Sequence, residues 1–155
     1  MITDYENDLI ALHDEIETGG ARPKAIDAAL NALLQNGGDR LAGDLLALLS
    51  DRAESDEGMF SLIHAAESFD DTRYVQALLS VFLELASSSP RWASIVLMRV
   101  MNNASAQHEV VRQLRGSSAE IKGAVRQMCE RINEVSPQFL SKTTPVILAS
   151  ESKAR

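Results

Sequence analysis

Punctuation constrains this chain more than anything else in it. Apolar residues recur three or four positions apart almost from end to end, and turn signals interrupt them at short intervals. In "TDYENDLIALHDEIETGG", Leu9, Leu12, His13 and Ile16 share one stripe. Thr3 or Asp4 can cap its start, and Gly19-Gly20 ends it. "RPKAIDAALNALLQNGG" begins with Pro23 in a first-turn position, turns Ile26, Leu30, Leu33 and Leu34 inward, and stops at Gly37-Gly38. "DRLAGDLLALLSD" adds Leu41, Leu45, Leu48 and Leu49. "GMFSLIHAAESFDD" takes Ser55 or Asp56 as a cap, turns Met59, Phe60, Ile63 and Ala66 inward, and breaks near residues 69–71.

The second half repeats the pattern. "DDTRYVQALLSVFLELASSS" carries Tyr74 or Val75, Leu78, Leu79, Phe82 and Leu85, and Pro90 enforces its end. "PRWASIVLMRVMNN" buries Trp92, Ile95 or Val96, and Val100. "SAQHEVVRQLRGS" is short. "SSAEIKGAVRQMCERINEVS" opens on a capping-box pattern and places Ile121, Val125, Met128 and Ile132 on one face. Only "TTPVILAS" could form a strand, and a lone strand has no partner. The expected architecture is all-α: a single domain over 1–150 of seven to nine short antiparallel helices, arranged as an irregular bundle or a HEAT-like stack. Residues 151–155 read as a frayed tail.

Charge narrows the partners. The net charge is −7, but it is unevenly spread: residues 1–71 carry −12 and residues 72–155 carry +5. An acidic half repels phosphate backbones and attracts basic surfaces, so direct nucleic-acid binding is not expected of it. The single cysteine, Cys129, allows no internal disulfide. "MITDYENDLIALHDE" has neither a basic leader nor a long apolar run, and no stretch is apolar enough to span a membrane. These features point to a cytoplasmic protein.

Catalytic and metal chemistry find little to build on, and neither catalytic residues nor a cofactor are expected. His13, His64 and His108 are scattered, and "HAAE" at 64–67 reverses the order that bundle metal sites use. There is no serine elbow and no phosphate loop, because both Gly-Gly pairs end helices. Three features stand out instead. An acidic run comprises Asp51, Glu54, Asp56, Glu57, Glu67, Asp70 and Asp71; Asp56 and one of Asp70 or Asp71 are readable as caps, whereas Glu54, Glu57 and Glu67 are not. Trp92 opens a helix whose Arg99 is placed to pair with an acid from 51–71. Finally, Arg112, Arg115, Lys122, Arg126 and Arg131 form a basic face. It lacks interleaved aromatics, so its expected use is to pair with the acidic half, internally or across a homodimer.

Residues 58–103 also resemble a known family. Gly58 to Glu67, Ser89-Pro90-Arg91-Trp92-Ala93 and Arg99 to Asn102 are similar to the pattern of α-helical bacterial immunity proteins encoded beside polymorphic toxins, contact-dependent growth inhibition systems included. The resemblance covers the central third of the chain. It implies a non-enzymatic partner for the C-terminal domain of a cognate toxin, one whose active site it covers or distorts. Many such toxins are nucleases with basic clefts, which an acidic surface would seek out. The expected toxin-binding residues are Glu54, Asp56, Glu57, Glu67, Asp70 and Asp71. Phe60, His64, Pro90, Trp92, Arg99 and Asn102 are expected to serve the shared fold, with His64 packed. The rival reading is a HEAT-like adaptor for a cellular protein or peptide.

Overall fold

The computed structural model describes residues 3–153. Among them are nine α-helices: α1 (Asp4–Thr18), α2 (Pro23–Asn36), α3 (Leu41–Ala47), α4 (Asp56–Glu67), α5 (Asp71–Ser88), α6 (Pro90–Met101), α7 (Ala104–Arg115), α8 (Ala119–Val135) and α9 (Leu140–Ser150). A 3₁₀ turn at Pro137–Phe139 leads into α9. Local chemistry fixes most of the helix starts. The Thr3, Ser55, Asp70, Asn103 and Ser118 side chains each accept a bond from a backbone N–H in the first turn, and Pro23 and Pro90 open α2 and α6.

The helices form two layers. α3 packs on α5, α5 on α7 and α7 on α9, while the Tyr5 hydroxyl donates to Asp44 at 2.6 Å and ties α1 to α3. In the other layer α2 packs on α4, and α6 on α8. Sequential pairs such as α1–α2, α3–α4 and α5–α6 cross between the layers. This alternation of layers along the chain is the HEAT-like stack rather than the irregular bundle. α5 is its spine, touching α3, α6, α7 and α8 through Val75, Leu78, Leu79, Phe82 and Leu85, all buried. Each such side chain contributes about 1.5–3 kcal/mol by leaving water. Packing of this kind, rather than propensity, holds helices as short as α3.

Two expected inward positions need correction. Leu34 is 47% exposed. The buried positions Ile26, Leu30 and Leu33 already face α1 and α4, and Leu34 lies about 40° beyond the Leu30 edge of that stripe. His13 is exposed on the outer side of α1 for the same reason, with Leu12 and Ile16 inward. "TTPVILAS" is helical despite Pro145 within it. Thr143, Val146 and Ala149 are buried where α9 packs on α7 and α8, and the Thr143 hydroxyl bonds the Asn133 side chain at 2.8 Å. Of the tail expected to fray, Ser152 is anchored: its carbonyl accepts from the buried Lys122 ammonium at 2.9 Å. Residues 154–155 lie outside the described residues.

Candidate functional site

Of the residues singled out in the sequence, Asp51, Asp56, Phe60, Glu67, Trp92 and Arg99 meet at the seam between α4 and α6. Asp56, Phe60 and Glu67 lie at helical spacing along one face of α4. Arg91 donates to both Asp56 carboxylate oxygens, at 3.1 and 2.8 Å. One turn on, the Phe60 and Trp92 rings meet edge to face, 5.1 Å apart at 79°. At the far end Arg99 grips Glu67 with two bonds of 2.9 and 2.8 Å, and its guanidinium carbon lies 5.9 Å from the Phe60 centroid. First-turn residues pair with first-turn residues and last with last, so α4 and α6 run parallel. The seam is thus two fork-shaped ion pairs with an aromatic step between them. Hydrogen bonds from Arg91 hold the Asp56 carboxyl below its ordinary range.

Asp51 is built into the same seam. Its carboxylate accepts from the backbone N–H groups of Arg91 at 3.0 Å and Trp92 at 3.2 Å. It therefore caps α6 from a distant loop, in place of Ser89, which makes no side-chain cap bond. The Ser89 hydroxyl instead donates to the Leu49 carbonyl at 3.1 Å. Pro90 sits at the first turn of α6 and Asn102 closes its C-terminus, where its side-chain oxygen accepts from Lys142.

His64 does not pack. It is exposed and approaches only the Phe60 ring, with centroids 6.4 Å apart, because Met59, Leu62, Ile63 and Ala66 already occupy the inward positions of α4. Asp70 caps α5 by accepting from the Arg73 N–H at 2.9 Å, and Asp71 accepts from the Ser105 hydroxyl of α7 at 2.6 Å. Of the six acids expected to meet a partner, Asp56 and Glu67 are held in ion pairs and Asp70 and Asp71 have these local duties. Glu54 and Glu57 are exposed and make no ion pair among the described residues.

The basic face is not assembled as expected. Arg112 pairs with Glu109 and Arg126 with Glu130, both within their own helices. Lys122 points inward and is 6% exposed. The two halves of the chain are joined instead by Arg91, Arg99 and Arg73, the last reaching Asp39 at 3.4 Å. Beyond the Glu67 end of the seam opens a cleft of about 400 Å³, lined by Glu67, Asp71, Tyr74, Arg99, Asn102 and Asn103. The Tyr74 residue is 4% exposed, and its buried hydroxyl has no hydrogen-bond partner among the described residues. Sequence reasoning placed Tyr74 or Val75 in the apolar face of α5; both are buried, and nothing local distinguishes the Tyr74 hydroxyl.

The model of a protein family, Immunity protein 30, matches residues 15–110. The chain belongs to this family. No curated protein and no solved structure matches it significantly. The Immunity protein 30 span runs from α1 into α7, so it contains the whole seam, the lining of the cleft named above and the motif at 58–103. Within that span and beyond it, no group of three or more His, Cys, Asp or Glu among the described residues is placed to hold a metal ion. Cys129 lies in the core of this Immunity protein 30 chain, and burial pushes its thiol up to about 12. No helix among the described residues is long and apolar enough to cross a membrane.

Proposed function

We propose that this chain neutralises a cognate toxin domain by binding it, as a stoichiometric inhibitor rather than an enzyme. The observation that carries the reading is the family match itself, which spans the seam and its acidic edge. The toxin class that best complements the surface is a nuclease with a basic cleft, such as an RNase or tRNase delivered by a contact-dependent growth inhibition system, and the inhibitor acts in the cytoplasm of the producing cell. The contact begins at Glu54 and Glu57. They stand exposed beside the Asp56–Arg91 pair and have no ion-pair partner among the described residues, so their charge is available for steering. The acidic edge covers the cleft of the toxin and takes the place of its phosphate-bearing substrate.

Co-expression with the toxic C-terminal domain encoded beside this chain's gene tests the proposal. The expected result is a stable complex and surviving cells. Raising salt from about 50 to 500 mM should slow association at least tenfold, as steering is screened within a Debye length. The double substitution Glu54→Lys, Glu57→Lys should slow association at low salt and flatten that salt dependence. A chain that forms no complex and gives no protection does not neutralise that domain, and the adaptor reading then takes the place of the proposed function. A tight complex indifferent to salt and to both substitutions would put the contact elsewhere on the stack.

A further inference from the structure

The cleft at the end of the seam holds charge and hydrogen-bonding capacity that the fold itself leaves unspent. The Arg99 guanidinium is matched by Glu67, and the Lys142 ammonium beside the rim is turned to the Asn102 side chain. Asn103 is occupied in capping α7, where its side-chain oxygen accepts from the Ala106 N–H. Among the described residues Asp71 has no cation, only the Ser105 hydroxyl at 2.6 Å. In the floor lies the Tyr74 hydroxyl, buried and unpartnered, close enough to Glu67 and Arg99 to feel both charges. A buried hydroxyl without a partner destabilises the free protein, and a bound group that supplied one would remove that cost.

We propose that this cleft receives one lysine or arginine side chain of the toxin. The inference rests on the toxin-binding reading above and gives it a specific anchor point. A cationic head entering here meets the Asp71 carboxylate as counter-charge, shares the outer lone pairs of Glu67, and presents donors that the Tyr74 oxygen can accept once side chains at the mouth adjust, as they commonly do at interfaces. The volume of about 400 Å³ is ample for one long side chain and its stem. An anion is the wrong occupant, because Arg99 and Lys142 already have oxygen partners while Asp71 has no cation among the described residues. The anchor also differs in kind from the exposed carboxylates at the start of α4. Those accelerate encounter, whereas a desolvated charge pair in a cleft slows release.

The test compares the full chain with its Tyr74→Phe and Asp71→Asn variants by calorimetry or biolayer interferometry against the same toxic domain. Tyr74→Phe should weaken binding about tenfold, chiefly through faster release, while leaving the melting temperature of the free protein equal or higher. Asp71→Asn should weaken binding at least as much. The pair of readouts separates anchoring from folding, since a purely structural tyrosine cannot lose affinity while gaining thermal stability. Wild-type binding with both variants unchanged in affinity overturns the cleft anchor and leaves the immunity reading standing. Wild-type protein that does not bind at all overturns both.

Discussion

Arg99 and Glu67 are joined by two parallel hydrogen bonds, 2.9 and 2.8 Å long, across the tops of two helices that are 32 residues apart in sequence. Their side chains are 36% and 27% exposed, so the pair is neither buried nor free in solvent. Solvent screening limits its worth, and the fork geometry with Phe60 beneath is what lifts it above an ordinary surface pair.

A double-mutant cycle on Arg99→Ala and Glu67→Ala, read by urea denaturation, should give a coupling of about 0.5–1 kcal/mol. Arg99→Lys should recover less than half of it, because an ammonium cannot fork or lie flat on the ring. A coupling near zero would reduce the pair to a crystal-like decoration of the surface and remove it from the account of the seam.

Gly58 tells how closely α4 sits on the loop between α1 and α2. A Cβ there would run into the Ala21 carbonyl oxygen and lie 2.6 Å from Cδ1 of Ile26. The neighbour is backbone on one side and a fully buried side chain on the other, so neither can give way cheaply. Gly58→Ala should therefore destabilise the protein by about 1–3 kcal/mol, against the stabilisation that alanine ordinarily brings to a helix. Thermal melts of the two proteins decide the sign.

Acid should weaken the fold. Hydrogen bonds from Arg22, Arg91 and Arg112 hold the carboxyls of Glu15, Asp56 and Glu109 below their ordinary values, Glu109 down to about 2. Groups depressed in the folded state bind protons more readily when unfolded. Their contribution is complete above the ordinary carboxylate range and is lost as pH falls towards about 2. Denaturation midpoints should be level from neutral pH down to about 5 and then drop. A midpoint that climbs in acid would mean that repulsion within the acidic half outweighs these pairs.

Cys129 should be silent in the native protein. Its side chain is fully buried and its thiol is pushed up to about 12, so little thiolate exists at neutral pH. A disulfide reagent such as dithionitrobenzoate should react within seconds in denaturant and only over hours without it. Rapid native labelling would place the α8 core among the parts of the molecule that open readily.

What the sequence determined by itself is local. Apolar spacing placed the helices. Ser, Thr and Asp at their starts, with Pro23 and Pro90 in first turns, set most boundaries, because a cap and the N–H groups it satisfies lie within about three residues of each other. The motif at 58–103 pointed to the family, and the isolated cation Arg99 announced an acidic partner, though not which one. Tertiary structure decided the rest. Asp51 looked like one more acid in a run, and only the stacking of layers brings it under the N–H of Trp92, 41 positions away. His64 and Leu34 fell within reach of apolar stripes, and which flank of a stripe is buried depends on the neighbouring helix. Glu67 could not be told from Glu57 until α6 lay parallel to α4 and delivered a guanidinium to one and not the other. Tyr74 or Val75 read as core, and both are buried; that the Tyr74 hydroxyl has no partner among the described residues follows from what α4, α6 and α7 place around it. Helical periodicity specifies which side of a helix is apolar, but the partner of each polar group is chosen by chain segments that the local pattern never sees.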